Sequence, residues 1–444
     1  MVYNLDLEKK INKNLYTKIV KIAKIFKKYH YECFLVGGWI RDILLNTEQN
    51  SKDIDIATNA RPEEVMRIFP KVIPTGIKHG TVTIFFMDLK IECTTYRTES
   101  KYSDHRHPDT IEYAKSIFED LSRRDFTINA FAYDPLNKIF IDEYNGLEDL
   151  KKKIIRCIGN PKDRFLEDGL RPIRACRFRA SLGFGIEENT KNAILDKEVQ
   201  IAIKNISVER FTEELKKGFL TKNTSLMLES LYDLGIFEIF LGKLKLPTKY
   251  FYFYLDSFLE PEFKMALWIW YGNLNLDEIY QKLKLSKKLY LYLSFIINFI
   301  NFFIYHHPYR FVDTLEELQN FKKTKEFKEF RKILSLIKKQ FSQQEEVLNL
   351  IKEWITHIGF HLETKTIQYE SHLLLFFDAL KESLKKDPLL PKDLSLKGSD
   401  FLNLGFKGKQ IGKVQKSLLE LVLEKPEKNQ RETLLKEIEN IRFS

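Results

Sequence analysis

Glu32 to Ile56 reads ECFLVGGWIRDILLNTEQNSKDIDI, and this stretch decides the fold. A short apolar run, Glu32 to Val36, ends at Gly37-Gly38 and reads as a strand entering a tight turn. Trp39 to Leu45 then reads as the start of a helix. Two glycines between strand and helix let backbone N–H groups approach a phosphate. Arg41, about one turn into the helix, can reach the same anion. Alone, a Gly-Gly turn is equally a plain structural turn. Asp53 to Ile56 alternates polar and apolar residues, as a strand does, and alternation puts Asp53 and Asp55 on one face, about 6.5–7 Å apart along the chain. Two such anions repel unless a cation joins them. A carboxylate pair is what Mg²⁺ takes when phosphates supply its remaining ligands. The competing reading is a solvated acidic pair at a strand end.

Around this stretch, residues 1–155 mix strand and helix signals. Leu15 to Tyr29 has helical periodicity, with lysines on its outer face. Arg61-Pro62-Glu63-Glu64 opens another helix with proline in its first turn. Thr81 to Phe86 and Lys90 to Tyr96 are rich in β-branched and aromatic residues and form a hairpin with Asp88 in the turn. Beyond about Ile155 the strand signals fade and Leu/Ile/Phe/Lys patterns at helical spacing run to the end. The chain is therefore a small α/β head followed by a long helical remainder.

Two further constellations carry chemistry. The first is Arg123-Arg124-Asp125-Phe126-Thr127-Ile128-Asn129-Ala130. Its arginines and aspartate can hold a triphosphate and a ribose hydroxyl, or form an ordinary surface ion pair. The second is Glu167-Asp168-Gly169-Leu170-Arg171-Pro172-Ile173-Arg174-Ala175-Cys176-Arg177. On a helix, Arg171, Arg174 and Arg177 share a face, with Asp168 on the same face. Aspartate acceptors and arginine donors together match the Watson–Crick edge of a base; the plainer reading is a salt-bridged basic helix. Pro172 inside such a helix implies a kink.

Bulk properties bound the rest. The 444 residues suggest two to four domains, and the net charge of +10 favours polyanionic partners, nucleic acid first. Cys33, Cys93, Cys157 and Cys176 lie far apart, without zinc spacing, and read as reduced thiols of a cytoplasmic protein. The charged N-terminus does not read as a signal peptide. Leu289 to Tyr305, LYLYLSFIINFINFFIY, is uncharged but short for a membrane span and reads as a buried helix of an all-α domain.

Taken in order, these motifs resemble the class II tRNA nucleotidyltransferase and bacterial poly(A) polymerase family, over roughly residues 30 to 240. The resemblance extends to Asp142-Glu143-Tyr144-Asn145-Gly146 with Asp149-Leu150, which is similar to the family's head-to-neck motif. It also covers Ile206-Ser207-Val208-Glu209-Arg210, similar to its neck-stabilising motif. It implies an α+β chain: a polymerase β-like nucleotidyltransferase head (1–155), then an all-α neck (156–240), body (241–340) and tail (341–444). It implies that Asp53 and Asp55 bind catalytic Mg²⁺ and that Glu92 is a candidate third metal carboxylate. Gly37, Gly38 and Arg41 hold the triphosphate. Arg124 and Asp125 contact the nucleotide, Asp125 at the ribose 2′-hydroxyl. Asp168 and Arg171 select C or A, with Arg174 and Arg177 lining the same pocket or meeting phosphates. The implied reaction adds C and A from CTP and ATP to the 3′ end of tRNA. Addition of A alone, poly(A) synthesis and plain RNA binding are the alternatives.

Thr75 to Val82, TGIKHGTV, is similar to the tRNA-type enzymes. Thr94 to Ile111, TTYRTESKYSDHRHPDTI, resembles the flexible loop of enzymes that add all three nucleotides, although Glu99-Ser100 stands where many members have Asp-Gly. His105 and His107 in this loop read as solvent-facing. There is no His-Asp dipeptide, so no metal-dependent phosphohydrolase domain is expected. Leu396 to Gly412 resembles the start of the family's last tail helices.

Overall fold

The computed structural model describes residues 2–3, 7–46, 54–99, 111–244, 249–306, 315–322, 324–340 and 369–443, with positions 345, 348, 349 and 352. The chain divides into two compact units, Met1–Lys287 and Lys288–Ser444.

The first unit is built on a mixed sheet. Its strands are β1 (Val2–Tyr3), β2 (Phe34–Val36), β3 (Ile54–Thr58), β4 (Val72–Gly76), β5 (Thr81–Phe86) and β6 (Leu89–Thr95). A side ribbon of β7 (Arg97–Glu99) and β8 (Ile111–Tyr113) follows, and β9 (Phe131–Asp134) with β10 (Ile139–Asp142) completes the sheet. The eight main strands lie in the order β1-β10-β9-β2-β3-β6-β5-β4. Within this sheet, among the described residues, only β3 and β6 pair in parallel, with Asp55 opposite Glu92. Period-two alternation explains the layering: on β5 and β6, Val82, Ile84, Ile91 and Cys93 are buried, while Lys90 and Glu92 are exposed. The buried face is closed by α1 (Lys13–Lys28), whose Phe26 ring meets Phe69, which meets Phe86 in turn.

Strand β2 runs into α2 (Gly38–Leu44), and α3 (Pro62–Ile68) carries proline in its first turn. The expected hairpin forms, with Met87 and Asp88 between β5 and β6. Strands β4, β9 and β10 were not legible from pattern alone. β4 is an exposed edge strand with Pro74 inside it, and β9 is buried along nearly its whole length, so neither alternates.

The head joins the helices through α4 (Ile117–Ser122) and α5 (Gly146–Lys152). Asp142 accepts from the backbone N–H of Gly146 (2.7 Å) and Leu147 (2.9 Å), and Asp149 accepts from Thr127 Oγ1 at 2.7 Å. These bonds satisfy the first donors of α5 and tie it to the Arg123–Ala130 segment. A Cβ at Gly146 would stand 2.4 Å from the Thr127 carbonyl oxygen and 2.7 Å from the Phe131 ring. Gly146→Ala is therefore expected to lower stability by about 1–3 kcal/mol, read as a fall in the denaturant midpoint; an unchanged midpoint would show that the joint yields.

Past Ile155 the first unit is helical apart from a two-residue parallel pair, Ile154–Ile155 with Gly185–Ile186. The arginine-rich stretch departs from the expected single kinked helix. Helix α6 (Pro161–Glu167) ends at Asp168, which is extended (φ −140°, ψ 103°), and α7 (Leu170–Leu182) begins after Gly169. Asp168 thus lies ahead of the helix, not on its face. Pro172 is the third residue of α7, where its missing N–H would have had no partner, so it fits without interrupting the helix. A Cβ on Gly169 would meet the Ala202 carbonyl oxygen at 2.4 Å, which lets α6 and α7 turn close beneath α9 (Lys197–Lys204), with α8 (Glu188–Ile194) alongside. α10 (Val208–Phe219) and α11 (Thr224–Asp233) pack on α7.

The segment from Leu289 lies in helix Lys287–His306, where Leu293, Phe295, Ile296, Phe299 and Ile300 are buried. Among the described residues no helix is long and apolar enough to cross a membrane. In the second unit, Phe321, Phe327, Phe330 and Phe376 meet edge-on or tilted in an aromatic cluster. Leu394, Leu396, Phe401, Val414, Leu418, Val422, Leu434 and Ile438 form the core of its last helices.

Candidate functional site

The strand–turn–helix of β2 and α2 places two glycines at one end of the sheet. Gly37 has φ +79°, a conformation that L side chains rarely adopt. A Cβ there would lie 3.2 Å from Arg124 Nη1 and 3.3 Å from Asp55 Oδ2. One glycine turn is therefore flanked by a guanidinium and a carboxylate from distant parts of the chain. A Cβ at Gly38 would lie 3.2 Å from Arg41 Nη2, so Arg41 folds back over the same turn.

The arginines are held by a network that joins the sheet-bearing part of the first unit to α7 and α10. Arg41 donates to Asp42 (2.8 Å) and to Asn129 Oδ1 (2.6 Å). Asn129 Nδ2 donates to Asp125 Oδ1 at 3.0 Å, and the other Asp125 oxygen takes Arg174 Nε at 2.9 Å and Nη2 at 2.8 Å. Arg174 and Arg177 both face the buried Glu214 of α10. The Phe178 ring lies beneath three guanidinium carbons: Arg177 at 4.0 Å, Arg41 at 5.3 Å and Arg174 at 5.4 Å. Asp120, 1% exposed, binds both Arg123 (2.6 Å) and Arg124 (3.0 Å). The Nε of Arg124 is buried and has no partner among the described residues.

Of the candidate metal ligands, Asp55 stands on β3 directly opposite Glu92 on β6, both on the same sheet face. Asp53 and the loop histidines His105 and His107 lie outside the described residues. Asp55 beside the glycine turn and Glu92 on the neighbouring strand are oxygen donors of the kind that suits a divalent ion of the Mg²⁺ type, and among the described residues no group of three or more His, Cys, Asp or Glu is gathered around one point.

The candidates for reading a base, Asp168 and Arg171, sit at the start of α7. Asp168 accepts from Leu170 N–H (3.0 Å) and from Arg210 (3.3 Å). Arg171, 4% exposed, donates to Arg164 O (3.0 Å), Glu167 (2.7 Å) and Arg123 O (2.9 Å). The structure thus gathers Gly37, Gly38, Arg41, Asp55, Arg124, Asp125, Arg174 and Arg177 into one connected set. Arg171 joins it through the Arg123 carbonyl.

Sequence reasoning missed Asp120, Asn129, Phe178 and Glu214 as supports, and quoted Arg210 only as part of a stabilising motif. Asn129 and Phe178 lie within or beside motifs already quoted. Glu214 lies four residues past Arg210 on one helix, a spacing that offered a signal.

Burial alone would raise the carboxyls of Asp125, Asp120 and Glu214. Their arginine partners, and for Asp125 also Asn129 and the Phe126 N–H, more than offset this and hold all three below the ordinary range. A depressed folded pKa contributes stability above the unfolded value, and this is lost as pH falls through the folded value. Stability is therefore expected to fall as pH drops below about 4. Asp125→Asn should flatten that part of the curve of thermal midpoint against pH; an unchanged curve would remove Asp125 from the linkage.

Comparison with known proteins shows what these features are similar to. Residues 33–156 match the Poly A polymerase head domain, and residues 183–245 match the probable RNA and SrmB-binding site of polymerase A. The chain is 44% identical over 225 residues to the CCA-adding enzyme of Geobacillus sp. (strain WCH70), covering 51% of this chain and 54% of that one. It is 46% identical over 204 residues to the CCA-adding enzyme of Lactobacillus helveticus (strain DPC 4571), covering 46% and 50%. The matching stretch thus spans about half the length of these curated relatives. The crystal structure of Bacillus stearothermophilus CCA-adding enzyme in complex with CTP superposes with a TM-score of 0.70 at 26% identity, over 96% of this chain and 98% of that one. A CCA-adding enzyme complex with ATP shares the fold, at a TM-score of 0.57 and 18% identity. The resemblance carried by the motifs holds: the chain is similar to the CCA-adding enzymes, with a mixed-sheet head and a helical remainder.

Proposed function

We propose that the chain is a metal-dependent tRNA nucleotidyltransferase that adds C and A from CTP and ATP to the tRNA 3′ end and releases pyrophosphate. The observation that carries this is the glycine turn at Gly37, with Asp55 on one side and Arg124 on the other. A carboxylate for cations and a guanidinium for phosphates meet at the place where backbone N–H groups are open to an anion. The relatives named above, CCA-adding enzymes one of which is solved with CTP, support the choice of substrates.

In this reading Gly37, Gly38, Arg41 and Arg124 receive the triphosphate, with Arg124 clamped by Asp120 so that no reorganisation is needed as charge develops. Asp125 is placed to accept the ribose 2′-hydroxyl in exchange for one of its present donors, since Asn129 and the Phe126 N–H fill one oxygen and Arg174 Nε and Nη2 the other. Asp168 and Arg171 offer acceptor and donor to the base edge, and Arg174 and Arg177 line the same pocket. Asp53 and Asp55, with Glu92 beside them, would hold Mg²⁺, which when bound favours the attacking alkoxide and offsets charge on the leaving pyrophosphate. Residues 1–155 act as head, 156–240 as neck, and 241–340 and 341–444 as body and tail that grip tRNA by shape and backbone. The four thiols are free and buried, in keeping with a reducing, cytoplasmic setting.

The test is to supply Mg²⁺ and the protein with tRNAs ending before CCA and after CC, with CTP, ATP or both. Extension of the first by all three nucleotides, dependent on CTP, is expected. Extension of the CC-ended tRNA alone by one A would make the protein an A-adding enzyme. Long A tails without a need for tRNA would make it a poly(A) polymerase, and no extension of either would leave plain RNA binding.

A further inference from the structure

The side of Asp55 away from the glycine turn has its own chemistry. In the sheet, β2 with its turn lies on one side of β3, and β6, β5 and β4 lie on the other. The outward residues of β5 and β6 pair as Thr81 with Thr94, Thr83 with Glu92 and Phe85 with Lys90, and Glu92 is opposite Asp55. Lys90, Glu92, Thr75 and Lys71 are exposed, Ile73 is 45% exposed, and Phe85 is half-buried with Lys71 Nζ 5.2 Å over its ring. Hydroxyls link the strands: Thr75 with Thr83 at 2.9 Å and Thr81 with Thr94 at 3.0 Å. The result is a face with two exposed lysines, a half-buried aromatic ring and the hydroxyls of Thr75, Thr81 and Thr94, with Thr83 (4% exposed) buried beneath Thr75, running from the candidate catalytic carboxylate to the sheet edge.

We propose that this face of β6, β5 and β4 seats the 3′-terminal ribose-phosphate chain of the acceptor RNA. The inference rests on the reaction proposed above. In-line displacement puts the attacking and leaving oxygens on opposite sides of the phosphorus. With pyrophosphate leaving toward Gly37 and Arg124, the RNA hydroxyl arrives from the β6 side. Lys71 and Lys90 meet backbone phosphates, the hydroxyls of Thr75, Thr81 and Thr94 meet ribose hydroxyls, and Phe85 offers a base a stacking surface that tolerates any sequence.

The experiment uses the full chain, tRNA lacking CCA, and the variants Phe85→Ala and Lys90→Gln, each checked for an unchanged thermal midpoint. Phe85→Ala is expected to raise the KM for tRNA about tenfold and to leave the KM for CTP unchanged. Lys90→Gln should reduce the slope of log affinity against log salt by about one. Direct titration of labelled tRNA gives a readout that does not depend on turnover. Variants that bind tRNA and turn it over as the parent does, with an unaltered salt slope, would overturn the proposal. A parent protein that binds tRNA through this face but extends nothing would instead sink the proposed reaction while keeping the RNA seat.

Discussion

Asp55→Ala is expected to lower nucleotide transfer by at least about 10³-fold, because the metal-held charge it anchors contributes several kcal/mol to the transition state. The fold should survive. Asp55 is a half-buried side chain on a strand whose other face carries the core, and its register neighbour is the exposed Glu92. Removing one of two adjacent anions relieves repulsion in the metal-free protein, so the thermal midpoint without Mg²⁺ should hold or rise. Asp55→Asn, which keeps the shape and drops the charge, should be as inactive as alanine, and Asp53→Ala belongs to the same class. Single-turnover rates with CTP and CC-lacking tRNA, beside the metal-free midpoint, decide the matter. Turnover within a few-fold of the parent in either Asp55 variant would end the metal assignment.

Where one local rule dominates, the sequence was readable. Glu32 to Ile56 announced strand, turn, helix and strand because its apolar run, glycine pair and acidic alternation each point one way, and β2, α2 and β3 stand where they were read. The residues that hold the site in place were harder to see. Asp120 and Glu214 look like ordinary helix-surface acids, and only folding buries them against Arg123, Arg124 and Arg177. The break at Asp168–Gly169 was hidden by arginine spacing that suits one continuous helix. What breaks it is close approach: only glycine fits beneath the Ala202 carbonyl. Such contacts are non-local, and pattern carries no information about them.

Arg171→Ala is expected to cut the preference for C and A over the other bases about 10²-fold, because a buried site that pairs with a base edge rejects wrong partners by leaving polar groups unmatched. The geometry adds a second effect. Arg171 bridges the end of α6, through Arg164 O and Glu167, to the Arg123 carbonyl in the segment that also positions Arg124 and Asp125. Alanine strips two half-buried carbonyls of a donor, at a cost of about 1 kcal/mol, so the thermal midpoint should fall as well. Arg171→Lys separates the two effects. Lysine restores the positive charge but not the planar fork, and it cannot serve α6, Arg123 and a base edge together. The lysine variant should therefore recover much of the stability while selectivity, read as misincorporation of UTP or GTP, stays poor. Recovered selectivity in step with recovered stability would make Arg171 a staple between α6 and the head, and would shift base reading to Asp168 and the Arg210 that holds it.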